Sequence, residues 1–220
     1  MHHFDEIFKM AANRHGGSDA LNEKLTKPKS IAELAEMPDD RWLSIITKTI
    51  FQAGFNWKVI ENKWDGFETA FDGFDVGRCA FMDDEKFDAL LQDTRIVRNG
   101  TKIATVRDNA AFLLELREEG GAGQVFGAWP SEDYVGLLAM LAKRGSRLGG
   151  ASAQYAMRFA GRDSFILSQD VTARLIAEGV IDKAATSKKA MAAVQEAFNT
   201  WMKQSGRSLT EISRVLAMSL

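Results

Sequence analysis

Arg147-Leu148-Gly149-Gly150-Ala151-Ser152-Ala153-Gln154-Tyr155-Ala156-Met157-Arg158-Phe159 is the stretch on which the reading turns. A basic helix ending near Gly145 leads into it, a tight glycine-containing hairpin follows, and a new helix is expected from Ala151. Backbone N–H groups at a helix N-terminus point outward, carry partial positive charge and bind phosphate. Glycines let a ligand's backbone approach closely. Such a contact reads no base edges, so it positions rather than specifies. A glycine pair taken alone is more often a plain turn.

Outward from the hairpin, the charge is uneven. Residues 1–140 hold 16 Lys+Arg and 24 Asp+Glu, whereas residues 141–220 hold 12 and 6. No acidic residue lies between Asp133 and Asp163, a window that carries Lys143, Arg144, Arg147, Arg158 and Arg162. The overall net charge of −2 argues against indiscriminate nucleic-acid coating, while a local basic surface fits a phosphate backbone. A solvated face is the blander account of the same run.

Downstream of the hairpin, Asp170 falls 19 residues after Ala151. A helix of about ten residues spans roughly 15 Å, and a return loop brings this carboxylate back toward the hairpin's mouth. Beside a DNA backbone an acidic group is costly unless it stabilises a developing cation. The alternative is that Asp170 caps the helix beginning at Val171.

The rest of the chain reads as about ten short helices with little period-2 alternation. Ser30-Ile31-Ala32-Glu33 and Ser208-Leu209-Thr210-Glu211 are capping boxes. Trp42-Leu43-Ile45-Ile46-Ile50-Phe51 runs to a stop at Gly54, and Asn56 caps a helix through Trp57, Ile60, Trp64 and Phe67. Further helices are expected at 75–81, 83–92, 101–118, 131–144, 151–160, 169–178, 187–205 and 208–218. Asn99-Gly100 reads as a turn, with Lys102 a surface cation. With 220 residues and no long linker, one domain of two helical lobes spanning 1–220 is expected.

The single cysteine, Cys79, excludes an intrachain disulfide and a cysteine-based zinc cage. His2, His3 and His15 are expected in solvent, so no metal or other cofactor is expected. The start lacks a basic and an apolar segment of the signal-peptide kind, and no apolar run reaches 18 residues. A cytoplasmic, nucleoid-associated monomer away from any membrane is the expectation. There is no Walker A loop, no GxGxxG after a strand and no HExxH.

The hairpin, its helix and the following Asp resemble the helix-hairpin-helix superfamily of base-excision DNA glycosylases. A second set of segments narrows the likeness: Gln52-Ala53-Gly54-Phe55-Asn56-Trp57-Lys58-Val59-Ile60, Phe71-Asp72-Gly73-Phe74-Asp75, Leu90 to Ile103, Asp108-Asn109-Ala110, and Lys143-Arg144-Gly145. In this order they are similar to the DNA-3-methyladenine glycosylase I family, over roughly residues 40–175.

The resemblance implies a two-lobed, all-α, monofunctional glycosylase acting on damaged, alkylated bases in double-stranded DNA. Likeness to the wider superfamily, rather than to the type I enzymes, which are not generally credited with using such a residue, makes Asp170 the catalytic carboxylate, stabilising an oxocarbenium-like sugar. The type I resemblance makes Gln52, Ala53, Gly54 and Phe55 the turn that probes the duplex, and Trp57 a stacking wall for an extruded base. Lys143, Arg147, Leu148, Gly149, Gly150, Ala151, Ser152 and Ala153 would hold phosphate. The family's zinc ligands are missing here. Where it places a base-binding glutamate this chain has Thr49, which has no charge for a cationic purine. Ala151 occupies the lysine position of lyase-competent members, so no Schiff-base nucleophile is present. Two rivals remain: a non-catalytic DNA-structure binder on the same scaffold, and a regulator reading DNA through residues 207–218.

Overall fold

The computed structural model describes all 220 residues and contains helices and no strands. In chain order the α-helices are α1 (Phe4–Arg14), α2 (Ser18–Asn22), α3 (Ile31–Ala35), α4 (Asp39–Gln52), α5 (Trp57–Asn62), α6 (Trp64–Ala70), α7 (Val76–Ala80) and α8 (Asp84–Gln92). They continue as α9 (Gly100–Leu116), α10 (Ala122–Ala128), α11 (Tyr134–Arg144), α12 (Ala151–Ala160), α13 (Gln169–Ala177), α14 (Lys188–Ser205) and α15 (Leu209–Met218). The chain divides into two compact units, one formed by residues 1–29, 129–137 and 161–220, the other by 30–128 and 138–160.

In the second unit α4 is central, packing on α9, α10 and α12. Its 14 residues start with Asp39 and Asp40, which favour the positive helix end, and bury Trp42, Leu43, Ile46, Ile50 and Phe51. Trp42 meets Phe126 edge to face at 5.1 Å, and Phe51 meets Phe67 at 4.7 Å. The Ser30–Glu33 capping box starts α3, whose Leu34 lies against α10. A Cβ on Gly123 would stand 2.2 Å from Leu34 O, so only glycine permits that approach.

In the first unit α15 packs on α1, α13 and α14. The Ser208–Glu211 capping box opens α15, and Leu209, Ile212, Val215 and Leu216 are all buried. Phe165 stacks on Phe198 at 4.5 Å, and Phe198 meets the buried Trp201. The apolar face of α15 is committed to this core.

Several expectations need correcting. The Asn56-capped helix ends at Asn62, and α6 starts separately at Trp64, with Lys63 between them. Asn99 is not a turn residue: its side chain accepts from Lys102 N and caps α9. Lys102 is not on the surface but 6 % exposed. His2 and His3 are exposed as expected, His3 also capping α1, whereas His15 is half-buried with Nε2 3.1 Å from Met218 O. Helices α1, α2 and α10 were not anticipated: two are short or glycine-bearing, and α1 lies where no cap motif announces it.

Candidate nucleic-acid interface

At the C-terminal end of α4 the chain turns through Ala53, Gly54 and Phe55 before Asn56 starts α5. Gly54 has φ +74°, which accounts for glycine at this turn. The buried Lys102 ammonium fixes the turn from behind. Its Nζ donates to Phe51 O at 3.1 Å and Ala53 O at 2.6 Å and sits 4.7 Å from the centre of the Phe55 ring. Burial, followed by the nearby Arg147 charge, pushes the Lys102 ammonium below the usual lysine range. Its two bonds to carbonyl oxygens cap the helix's negative end.

Helix α12 packs on α4 and completes the wall. Thr49, Gln52, Ala53, Gly54, Phe55 and Trp57 from one side, with Ala151, Ser152 and Tyr155 from the other, enclose a recess of about 240 Å³. A neighbouring groove of about 280 Å³ shares Gln52 and Trp57 and adds Ile45, Lys48, Glu61 and Phe159. Trp57 packs edge-on against Tyr155 at 5.2 Å and Phe159 at 5.9 Å. It is nonetheless 39 % exposed, beside Phe55 at 41 % and Phe159 at 47 %. Exposed aromatics this close together form a surface patch of the kind that binds, not a core.

The expected pocket residues therefore converge, with two reservations of chemistry. Thr49 Oγ1 donates to Ile46 O at 2.8 Å, so its proton is spent inside α4. Gln52 is 3 % exposed, and its Oε1 has no hydrogen-bond partner. Tyr155 and Phe159 were missed as site residues. Their i,i+4 spacing after the hairpin places them on one face of α12, and that spacing is the signal that could have found them.

The hairpin itself is held by α9. Asn109, fully buried, donates from Nδ2 to Ser146 O at 3.0 Å and accepts from Ser146 N at 2.8 Å. Ser146 Oγ donates to Asp108 Oδ2 at 3.0 Å. Arg147 takes φ +57°, an unusual value for a side-chain-bearing residue. Leu148 and Ala153 are buried, so their side chains anchor the hairpin and cannot themselves meet a phosphate. Gly149, Gly150 and Ala151 are exposed, and a Cβ at Gly149 would meet nothing within 4 Å. Gly149 has no positive φ either, so neither crowding nor φ in the fold requires glycine there.

Of the basic run, Lys143 and Arg147 are exposed. Arg144 is spent on Glu119 at 2.6 Å and on the Phe112 ring, and Arg162 is buried against Asp163 O and Trp129 O. In the first unit Asp170 is exposed on the first turn of α13. The helix cap is Ser168, whose Oγ accepts from Val171 N, so the capping account of Asp170 falls. Cys79 is buried, and burial first, then nearby carboxylates, push its thiol up to about 12. No group of three or more His, Cys, Asp or Glu side chains is arranged to hold a metal ion.

Residues 35–129, which include α4, the turn and Trp57, match the methyladenine glycosylase family. This region is similar to that family. The chain is also similar to DNA-3-methyladenine glycosylase 1 of Escherichia coli (strain K12), 32% identical over 69 residues. That stretch is 31% of this chain and 37% of the relative, so the match spans little more than a third of the relative's length. Among solved structures, a 3-methyladenine DNA glycosylase I variant in complex with 3-methyladenine superposes with a TM-score of 0.52. It is 17% identical, over 70% of this chain and 91% of that one. The 8-oxoguanine glycosylase/lyase of Methanocaldococcus jannaschii, in complex with DNA containing 8-oxoguanine, gives 0.54 at 14% identity, over 96% of this chain and 95% of that one. At these identities the likeness is one of fold: the chain has the all-α helix-hairpin-helix glycosylase architecture.

Proposed function

We propose that the protein is a monofunctional DNA glycosylase of base-excision repair, hydrolysing the N-glycosidic bond of damaged bases, alkylated ones among them, in duplex DNA. The observation that carries this reading is the aromatic recess between the α4 turn and the start of α12, inside and beside the region similar to the methyladenine glycosylase family. An extruded base would stack on Trp57 while Phe55 and its turn engage the duplex. Gly149, Gly150, Ala151 and Ser152 would offer backbone N–H groups to a phosphate, with Lys143 and Arg147 adding screened charge. Asp170 would stabilise positive charge developing at C1′ and orient the attacking water. Ala151 offers no amine, so cleavage would stop at base release.

A second reading, a non-catalytic binder of DNA structure, draws on Thr49, whose hydroxyl is turned back into α4. The two part on one experiment: release of free base from randomly alkylated duplex DNA by wild type and Asp170→Asn. The glycosylase releases base and the variant binds DNA without release. A protein that binds in both forms and releases nothing, from alkylated DNA or a panel of other lesions, is the binder.

A further inference from the structure

The recess beside Trp57 has no charged side chain in its lining. Two sources of positive charge flank it. Lys102 Nζ lies under the turn, bonded to Ala53 O and against Phe55, both of which line the recess. Ala151 and Ser152 bring the N-terminal end of the ten-residue α12 to its other side. The adjoining groove carries Glu61 together with Lys48. A base bearing a fixed positive charge therefore meets no counter-charge in the recess, and Thr49 has no free proton or charge to add.

Gln52 supplies the complementary observation. It lines the recess, it is 97 % removed from solvent by its 3 % exposure, and its Oε1 is unpartnered. A buried amide without partners is expensive unless a ligand satisfies it. An amide presents one acceptor and one donor group side by side. Its match is a lactam edge, a ring N–H next to a ring C=O.

We infer that the recess takes a neutral damaged base with a lactam edge, of the hypoxanthine or uracil kind, in preference to a cationic alkylpurine. This rests on the glycosylase reading and narrows its substrate. Gln52 Oε1 accepts from the ring N–H, and Nε2 donates to the ring carbonyl. On hydrolysis the C1′–N bond breaks with both electrons passing to the base. Water supplies oxygen to C1′ and loses a proton, and the departing base anion takes up a proton. A cationic base leaves neutral and needs no such help, whereas a neutral base leaves as an anion. The Lys102 ammonium and the α12 N-terminus stabilise that anion.

The test measures single-turnover release per lesion. The substrates are duplex oligonucleotides with one hypoxanthine or one uracil, and methylated duplex DNA containing 3-methyladenine and 7-methylguanine. Wild type should release at least one lactam base tenfold faster or more than either cationic base. Gln52→Leu should lose at least tenfold on that lactam base while melting like wild type. Thr49→Glu, which restores a carboxylate, should move the preference toward the cationic bases. Faster release of cationic bases, or lactam release indifferent to Gln52→Leu, overturns the inference and leaves the glycosylase reading standing. Cationic release that falls in Glu61→Gln places recognition in the adjoining groove and also overturns it. No release from any of these substrates overturns this inference, and the glycosylase reading falls with it when the wider lesion panel is refused as well.

Discussion

Asn109 and Ser146 exchange two hydrogen bonds, Nδ2 to O at 3.0 Å and N to Oδ1 at 2.8 Å, across 37 residues of chain. They fasten the hairpin that begins at Gly145 to the middle of α9. The backbone that would meet a phosphate is thereby set before any ligand arrives, and less ordering cost falls on binding.

Asn109→Ala takes away the partners of both the N–H and the C=O of the half-buried Ser146. It should lower unfolding free energy by about 1–3 kcal/mol in urea titration. It should also speed amide exchange across residues 145–150. Unchanged exchange there would mean that Leu148 alone holds the hairpin.

Glycines 145 and 149 should behave oppositely. A Cβ on Gly145 would lie 2.5 Å from Leu148 Cδ1 and 2.9 Å from Leu141 O, so Gly145→Ala should cost about 1–3 kcal/mol of stability. Gly149→Ala meets open space and should melt within about 0.5 kcal/mol of wild type. If Gly149 approaches a phosphate, DNA affinity should fall in this variant despite its intact fold.

Arg147 couples charge to strain. Arg147→Gly should relieve about 1 kcal/mol at φ +57° and raise Tm. In DNA-binding titrations the same change should lower the slope of log K against log salt by about 0.9, as should Lys143→Ala. A salt slope unchanged in both would exclude this face from the phosphate contact.

In the first unit, Glu178 accepts from His2 N at 2.7 Å and lies 2.9 Å from His2 Nδ1, with Arg174 at 3.4 Å. Burial opposes its charge, but the His2 hydrogen bonds and then the Arg174 charge hold its carboxyl below its ordinary value of 4.5. A lowered folded-state pKa gives stability that is present above pH 4.5 and lost as pH falls through the folded value. Tm should therefore fall on acidification below pH 4.5 more steeply in wild type than in Glu178→Gln. Parallel curves would assign acid sensitivity to other carboxylates.

Much of this molecule is legible in sequence because local rules write it. Capping boxes at Ser30 and Ser208 depend on residues three apart, and both form as read. The start of α12 at Ala151 follows from glycine next to a helix-forming run. The turn at Gly54 and the cap at Asn56 have the same origin. Lys102 shows where such reading stops. By itself it is a lysine near a helix start, and only the carbonyl ends of α4, some 50 positions earlier in the chain, make it a buried cation.

By itself, the sequence determined the all-α class, the hairpin and its helix, the order of the motifs and the missing glutamate at Thr49. Those depend on short-range backbone preference and side-chain identity, which the chain carries locally. Tertiary structure alone decided that Gln52 is buried with its Oε1 unpartnered, that Trp57 is exposed rather than core, and that Tyr155 lines the recess while Phe159 lines the adjoining groove. Burial and partnership are properties of what packs against a residue. Here α12 and α4 meet from positions about 100 residues apart, a distance over which no local pattern carries information.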